Sequence, residues 1–168
     1  GPSPRRARST ATCMSFASLI TRMTIAACRG EGAQVAACFT ADGVYHDCFY
    51  GAFAGADIAR MVEDYFHRDA RDFQWDLHDI VDTGSVGYAR YVFSYTSRLP
   101  GCEGRRALFE GVSICTLRDG RLLSYREVAN SAVGLHGIGF SPERVARFLS
   151  REAAELAARP EAQAHHRA

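Results

Sequence analysis

Four side chains carry the reactive potential of this chain: Tyr45, Asp47, His78 and Glu127. A carboxylate can take or return a proton, a phenol can donate to a developing oxyanion, and an imidazole can relay protons near neutral pH. Tyr45 and Asp47 are two residues apart in Val44-Tyr45-His46-Asp47, so a strand would place them on one face and His46 on the other. A one-residue register slip would exchange the faces, which keeps His46 as a reserve candidate. A base beside an oxyanion donor suits enolisation or aldol-type ring closure; alternatively Asp47 caps a turn N–H. Glu127 sits among Tyr125, Val128 and Ala129. Buried, it would need a partner, because an unpaired carboxylate in apolar surroundings raises its pKa or destabilises the fold. It is therefore either a general acid or base, or one half of a surface ion pair with Arg126, Arg90 or Arg121. His78 is either a proton relay or a structural strand histidine. Glu110, opposite in direction to Phe109, reads as an ion pair, a dimer contact or a pocket residue.

The aromatic residues Trp75, Tyr91, Phe93, Phe109 and Tyr125 either pack a core or line a cavity. In a cavity they would select a flat or cyclic apolar ligand by stacking.

The elements that must position these groups follow from pattern. Asp119-Gly120 accepts the positive φ angles of a tight hairpin and is flanked by β-rich runs within Arg105–Asn130. In the first run Ala107, Phe109, Gly111, Ser113 and Cys115 share one face, and Leu108, Glu110, Val112, Ile114 and Thr116 the other. Neither set is polar enough to face water throughout, so both faces are expected to be covered. In the second run Tyr125, Glu127 and Ala129 share a face. Two further strands are expected over Phe73–Asp82 and Gly87–Leu99, and a short one over Val44–Phe49. Helical spacing of Phe16, Leu19, Ile20, Met23 and Ala27 predicts a first helix, ended by Gly30. A second helix is expected over Ala33–Phe39. Ile58, Met61, Val62, Tyr65 and Phe66 form the stripe of a third from Asp57. Tyr50–Ala56, Arg68–Asp72 and Ser131–Phe140 read as loops. Ser141 and Pro142 open a last helix with Val145, Phe148 and Leu149 inward.

The 168 residues suffice for one cored domain, expected over 14–158 between disordered tails at 1–13 and 159–168. Gly1-Pro2 resembles the scar of a cleaved expression tag. A net charge of +1 argues for neither nucleic acid nor an anionic membrane as partner, and no apolar run reaches spanning length. All 20 basic residues are arginine. Without lysine there can be no lysine Schiff base, no pyridoxal phosphate attachment and no Walker P-loop. The six scattered cysteines make no zinc or redox motif and fit a reducing cytoplasm. The arginine-only, alanine-rich composition fits a GC-rich bacterial genome.

Helices followed by a run of antiparallel strands predict an α+β fold. Four curling strands wrapped around helices would leave a cone with an internal apolar pocket. CFTADGVYHD, GAFAGADIARMVEDYF, WDLHDIVDTGSVGYARYVFSY and LRDGRLLSYREVAN, in this order, resemble SnoaL-like proteins of the nuclear-transport-factor-two-like cone fold. The resemblance spans about 16–140. It implies a cone, to which the helix from Ser141 is an added C-terminal element, homodimerisation through the outer sheet face, and one of several chemistries: polyketide cyclisation, ketosteroid isomerisation, scytalone-type dehydration or limonene-epoxide-type hydrolysis.

Against those patterns, Tyr45 matches the tyrosine of the epoxide-hydrolase pair and Asp47 replaces its asparagine. Tyr91 and Phe93 stand where that chemistry needs Arg and Asp, and Glu127 takes the place of its last aspartate. His78 matches one dehydratase histidine; the second has no counterpart. The expectation is a cofactor-free, metal-free acid–base enzyme acting on a small hydrophobic cyclic or polyketide-like metabolite. Asp47 or Glu127 would be the base, His78 the relay and Tyr45 the oxyanion donor. The rivals are a non-catalytic ligand-binding or dimerisation module and a diverged epoxide hydrolase.

Overall fold

The computed structural model describes residues 14–167. The expectation for 1–13 lies outside the described residues. The chain begins with helix α1 (Phe16–Arg29), capped by Ser15 and closed by Gly30 in the left-handed region. Its expected stripe is buried: Phe16, Leu19, Ile20, Met23 and Ala27. Helix α2 (Gly32–Ala37) follows, shorter than the sequence suggests because Phe39 already opens a strand.

That strand, β1 (Phe39–Asp47), is longer than expected. The supposed loop after it contains β2 (Gly51–Ala54), which pairs back on β1. Gly51 makes the reversal possible, with φ of 90°. The next helix is not uniform. One turn, α3 (Asp57–Arg60), widens into a π-helix over Met61–Phe66 and ends in α4 (His67–Asp69). Ile58, Met61 and Val62 are buried as the stripe predicts, whereas Tyr65 and Phe66 are only partly covered.

Strands β3 (Ala70–Asp82), β4 (Val86–Ser97), β5 (Arg106–Arg118) and β6 (Arg121–Ala129) form the expected antiparallel meander. β3 starts three residues before its expected position and absorbs part of the charged Arg68–Asp72 run. The hairpin turn holds Asp119 at φ 53° and Gly120 at φ 72°, as the dipeptide predicts. The sheet is larger than the four strands expected. It has six, in the order β2-β1-β6-β5-β4-β3, with β1 parallel to β6.

The sheet is curved, and β3 shows one source of its curl. Its pairing slips at two places, between Arg71 and Gln74 and between His78 and Val81. At each slip an aspartate, Asp72 or Asp79, sits at φ 52°. An extra residue in the left-handed region bends a strand and steepens its twist.

Ser131–Phe140, read as irregular, contains helix α5 (Ser131–Gly137). Helix α6 (Pro142–Ala158) starts at the expected Ser141 cap, whose hydroxyl accepts from the Arg144 N–H. Phe148 is its one buried side chain and Leu149, expected inward, is exposed. Pro160–His165 form a 3-10 helix where the sequence suggests a loose tail. The α+β cone with its added C-terminal helix stands as the sequence predicts.

The concave face of the sheet carries two continuous apolar clusters. One joins α1, α2 and Met61–Val62 to Tyr45, Cys115, Leu122 and Tyr125. The other joins Tyr91, Phe93, Tyr95 and Phe109 to Leu135, Ile138 and Phe148. The convex face is different. Both faces were expected to be covered, but in the single chain Leu108, Val128 and Tyr88 are exposed on it. Among the described residues no helix is long and apolar enough to cross a membrane.

Candidate functional site

Strand alternation decides which candidates meet. Tyr45 and Asp47 on β1, Trp75 on β3, Tyr91 and Phe93 on β4, Phe109 on β5 and Glu127 on β6 all project inward. They surround one small space of about 20 Å³, with Cys48, Phe49 and Phe66 completing its wall. His78 does not join them. Trp75 and Leu77 take the inward positions on β3, so His78 is exposed on the convex face opposite Arg90. Its expected place as proton relay is corrected by that alternation. His46 and Glu110 are likewise exposed on outward positions.

Glu127 is held without any cation. Tyr91 donates its phenolic hydrogen to Glu127 Oε2, and Tyr125 donates to the same oxygen at 3.2 Å. The Cys48 thiol borders the same space. No ion pair among the described residues includes Glu127, and Arg90 pairs with Asp79 instead, at 2.9 Å. The surface ion-pair reading is therefore set aside. Burial pushes the Glu127 carboxyl above its ordinary range, and the neighbouring Asp47 pushes it further; the phenols and the thiol oppose this in part. An apolar wall, a like charge and neutral donors together leave a carboxyl that can exchange a proton near neutral pH.

Backbone packing lets Tyr91 reach that oxygen. A Cβ added at Gly111, the residue paired with Tyr91 across the β4–β5 ladder, would lie 2.6 Å from the phenolic oxygen. Glycine is the one residue that leaves the phenol its path at this crossing.

Asp47 is half-buried on the inward face of β1, on the wall it shares with Glu127. Its Oδ2 accepts the backbone N–H of Phe49 at 2.8 Å and of Tyr50 at 3.1 Å. It thus caps the turn that leads into β2, as one reading of the sequence anticipates, while also bordering Glu127. Burial raises its pKa and the two amides lower it. Asp47 Oδ2 is thus tied to two backbone amides, whereas Glu127 is bonded by side chains alone.

Tyr45 is buried and stacks on Tyr125, with ring centroids 4.6 Å apart. Burial, then the charges of Glu127 and Asp47, raise its phenol well above the usual value, so it stays a protonated donor. Tyr125 has no accessible surface at all and stands behind Glu127, where it also bonds Ser113 Oγ at 3.0 Å. Its expected contact with substrate is corrected by that burial: the ring lies in the core and touches the site only through its hydroxyl. The Trp75 indole Nε1–H is buried and has no acceptor.

Beyond Phe49, Phe66 and Phe93 lies a second, roomier cavity of about 360 Å³. Phe66 and Phe73 stack at 4.3 Å along one side, and Phe93 follows at 6.1 Å. Tyr95, Leu135, Phe140 and Phe148 complete an apolar lining, and Arg144, Arg147 and Arg151 of α6 stand at the rim. Tyr50 and Asp69 supply polar atoms on the wall; the Tyr50 phenol donates to Asp69 Oδ2 at 2.7 Å. Sequence reasoning missed this cavity. The available signal was in α6, where arginines at 144, 147 and 151 bracket Phe148 on one helical face.

Among the described residues no group of three or more His, Cys, Asp or Glu is arranged to hold a metal ion. The five described cysteines are all free.

The model of the SnoaL-like domain matches residues 20–125. The chain belongs to the SnoaL-like domain family. The match takes in Tyr45, Asp47, Trp75 and Tyr91 of this SnoaL-like protein and stops two residues before Glu127. Among solved structures it is similar to TsrD from Streptomyces laurentii, at 17% identity, covering 75% of this chain and 98% of that one, with a TM-score of 0.63. It is similar to IdmH, a putative polyketide cyclase from Streptomyces antibioticus, at 19% identity, covering 74% and 98%, with a TM-score of 0.60. A hypothetical protein with a ketosteroid isomerase-like fold from Catenulispora acidiphila, in complex with trimethylamine, shares 13% identity over 77% and 98% with a TM-score of 0.66. At these identities the likeness is one of fold. No curated protein matches the sequence.

Proposed function

We propose that this SnoaL-like protein is an acid–base enzyme that needs no cofactor and cyclises, isomerises or dehydrates a small hydrophobic cyclic or polyketide-like metabolite. The observation that supports this most is Glu127 itself: a carboxyl in an aromatic pocket, bonded by two phenols, with no arginine paired to it among the described residues. A purely structural carboxylate would be expected to take a cationic partner.

In this reading the ring system of the ligand fills the larger cavity, and its reacting carbon reaches past Phe49, Phe66 and Phe93. Glu127 takes the proton from a carbon beside a carbonyl. The electron pair moves to the carbonyl oxygen, where the Tyr45 phenol and the unpaired Trp75 N–H are the available donors. Return of the proton to another atom completes an isomerisation; attack of the carbanion on a second carbonyl closes a ring, with the proton passing from Glu127 to the new alkoxide; and departure of a β-hydroxyl as water, which carries that proton away, completes a dehydration. Solvent deuterium incorporation into fused-ring ketones tests it: exchange by the native protein and its loss in Glu127→Gln support the reading, and equal exchange in both refutes it.

A second reading, a ligand-binding module, draws on the small volume beside the acids. If the aromatic wall stays shut, a ligand would occupy the outer cavity alone and no exchange would occur. The convex face supports a homodimer. Val112 and Val128 are directly paired there, with Leu108 and Tyr88 exposed nearby, and a two-fold axis would bury the same patch on both copies. The free thiols support a reducing cytoplasm.

A further inference from the structure

We infer that the larger cavity selects a ligand bearing an anionic group, a carboxylate or a comparable oxyanion, on the end of its ring system remote from the reacting carbon. This deepens the proposed reaction and rests on the same cavity. Arg144, Arg147 and Arg151 lie at i, i+3 and i+7 on α6, a spacing that keeps them on one side of the helix. All three line the cavity at its rim.

Two of them are held over the opening. The Arg144 guanidinium lies 3.7 Å from the Phe140 ring centroid. Arg151 lies 5.5 Å from that of Phe148, and its Nη2 donates to the Phe49 carbonyl at 3.3 Å. None of the three has a carboxylate within ion-pair distance among the described residues. A guanidinium stacked on an aromatic ring keeps its remaining N–H groups free for a planar oxyanion.

The acid on the cavity wall does not cancel this field. Asp69 is already bonded by Arg68, at 2.8 and 2.9 Å, and by Tyr50. Charge is therefore graded from one space to the next: arginines and aromatic rings line the larger cavity, and Asp47 and Glu127 line the smaller one behind Phe49, Phe66 and Phe93. An amphiphilic ring compound can enter in one direction only: its anion stays with the arginines and its opposite edge meets Glu127.

Calorimetric titration of 2-naphthoate and of neutral 2-naphthamide tests the inference without requiring turnover. The native protein should bind 2-naphthoate about tenfold or more tightly than 2-naphthamide, and added salt should weaken the first and spare the second. The triple variant Arg144→Ala, Arg147→Ala, Arg151→Ala should lose that preference while binding 2-naphthamide as before. A triple lysine variant should recover part of it, which separates charge from any effect on folding. Equal binding of the two probes to the native protein would overturn the anionic subsite and leave the proposed chemistry standing. Binding of neither probe would overturn the cavity as a ligand site and the reaction built on it.

Discussion

Gly111 lies so close beneath the Tyr91 phenol that a Cβ there would come within 2.6 Å of the phenolic oxygen. The Ala129 Cβ is 2.8 Å from the same position, so there is no room to yield sideways. The hydrogen bond to Glu127 thus depends on a residue with no side chain. Gly111→Ala should displace the phenol, cost about 1–3 kcal/mol from overpacking, and slow deuterium exchange as much as Tyr91→Phe does. Chemical denaturation and the exchange assay check both parts. A fully active alanine variant would show that the phenol does not matter.

The buried acids should imprint a pH dependence on stability. Glu127 is raised from 4.5 to about 7 in the folded protein, with burial the leading cause. A group raised in the folded state stabilises fully below its unfolded pKa, and that contribution is lost as pH rises through the folded value. Stability should therefore fall between about pH 4.5 and pH 7. Glu127→Gln should flatten that slope, so that the variant gains on the native protein by on the order of 2 kcal/mol from acid to neutral pH. Urea unfolding across this range reads the difference; parallel curves for the two proteins would contradict it.

The aromatic wall between the two cavities gives a third expectation. Phe49 borders both of them and packs against Phe109 and Phe148, at centroid distances of 6.1 and 5.6 Å. Phe49→Ala should merge the spaces, lower stability by about 2–4 kcal/mol, and admit bulkier ring ligands. Calorimetry with a graded series of aromatic amides checks it, and unchanged size selectivity would place the entrance elsewhere.

The convex face gives a fourth. Val128→Glu places a charge directly opposite Val112 in the centre of the exposed apolar patch. Sedimentation should report a dimer for the native protein and a monomer for the variant. A native monomer would remove the dimer, and the patch would then need another occupant.

The sequence made some of this legible and hid the rest for definite reasons. Asp119-Gly120 announced its turn because few residue pairs tolerate two positive φ angles in succession. The inward set Tyr45, Asp47, Tyr91 and Glu127 followed from a two-residue period once the strands were placed. The same period, read correctly through Trp75 and Leu77, would have turned His78 outward; the resemblance to dehydratases pulled it in. β2 was hidden because Gly51-Ala52-Phe53-Ala54 has little β character of its own and forms only by pairing on β1. The π-helical turn at Met61–Phe66 is a tertiary adjustment with no local signature. The outer cavity was invisible because its lining comes from five distant segments, and α6 seemed only to need an apolar stripe. The partners of Glu127 were hidden as well, since nothing in spacing pairs Tyr91 with Glu127 across two strands.

The proposed chemistry needs Glu127 to be a carboxyl that burial raises toward neutrality and that phenols, rather than arginines, hold in place. Carbon-13 NMR titration of its side-chain carboxyl measures this directly. The account predicts a midpoint well above the usual glutamate range, near 7, moved higher still in Tyr91→Phe because a bond that favours the ionised form is lost. A midpoint near 4.5 that Tyr91→Phe leaves unmoved would contradict it.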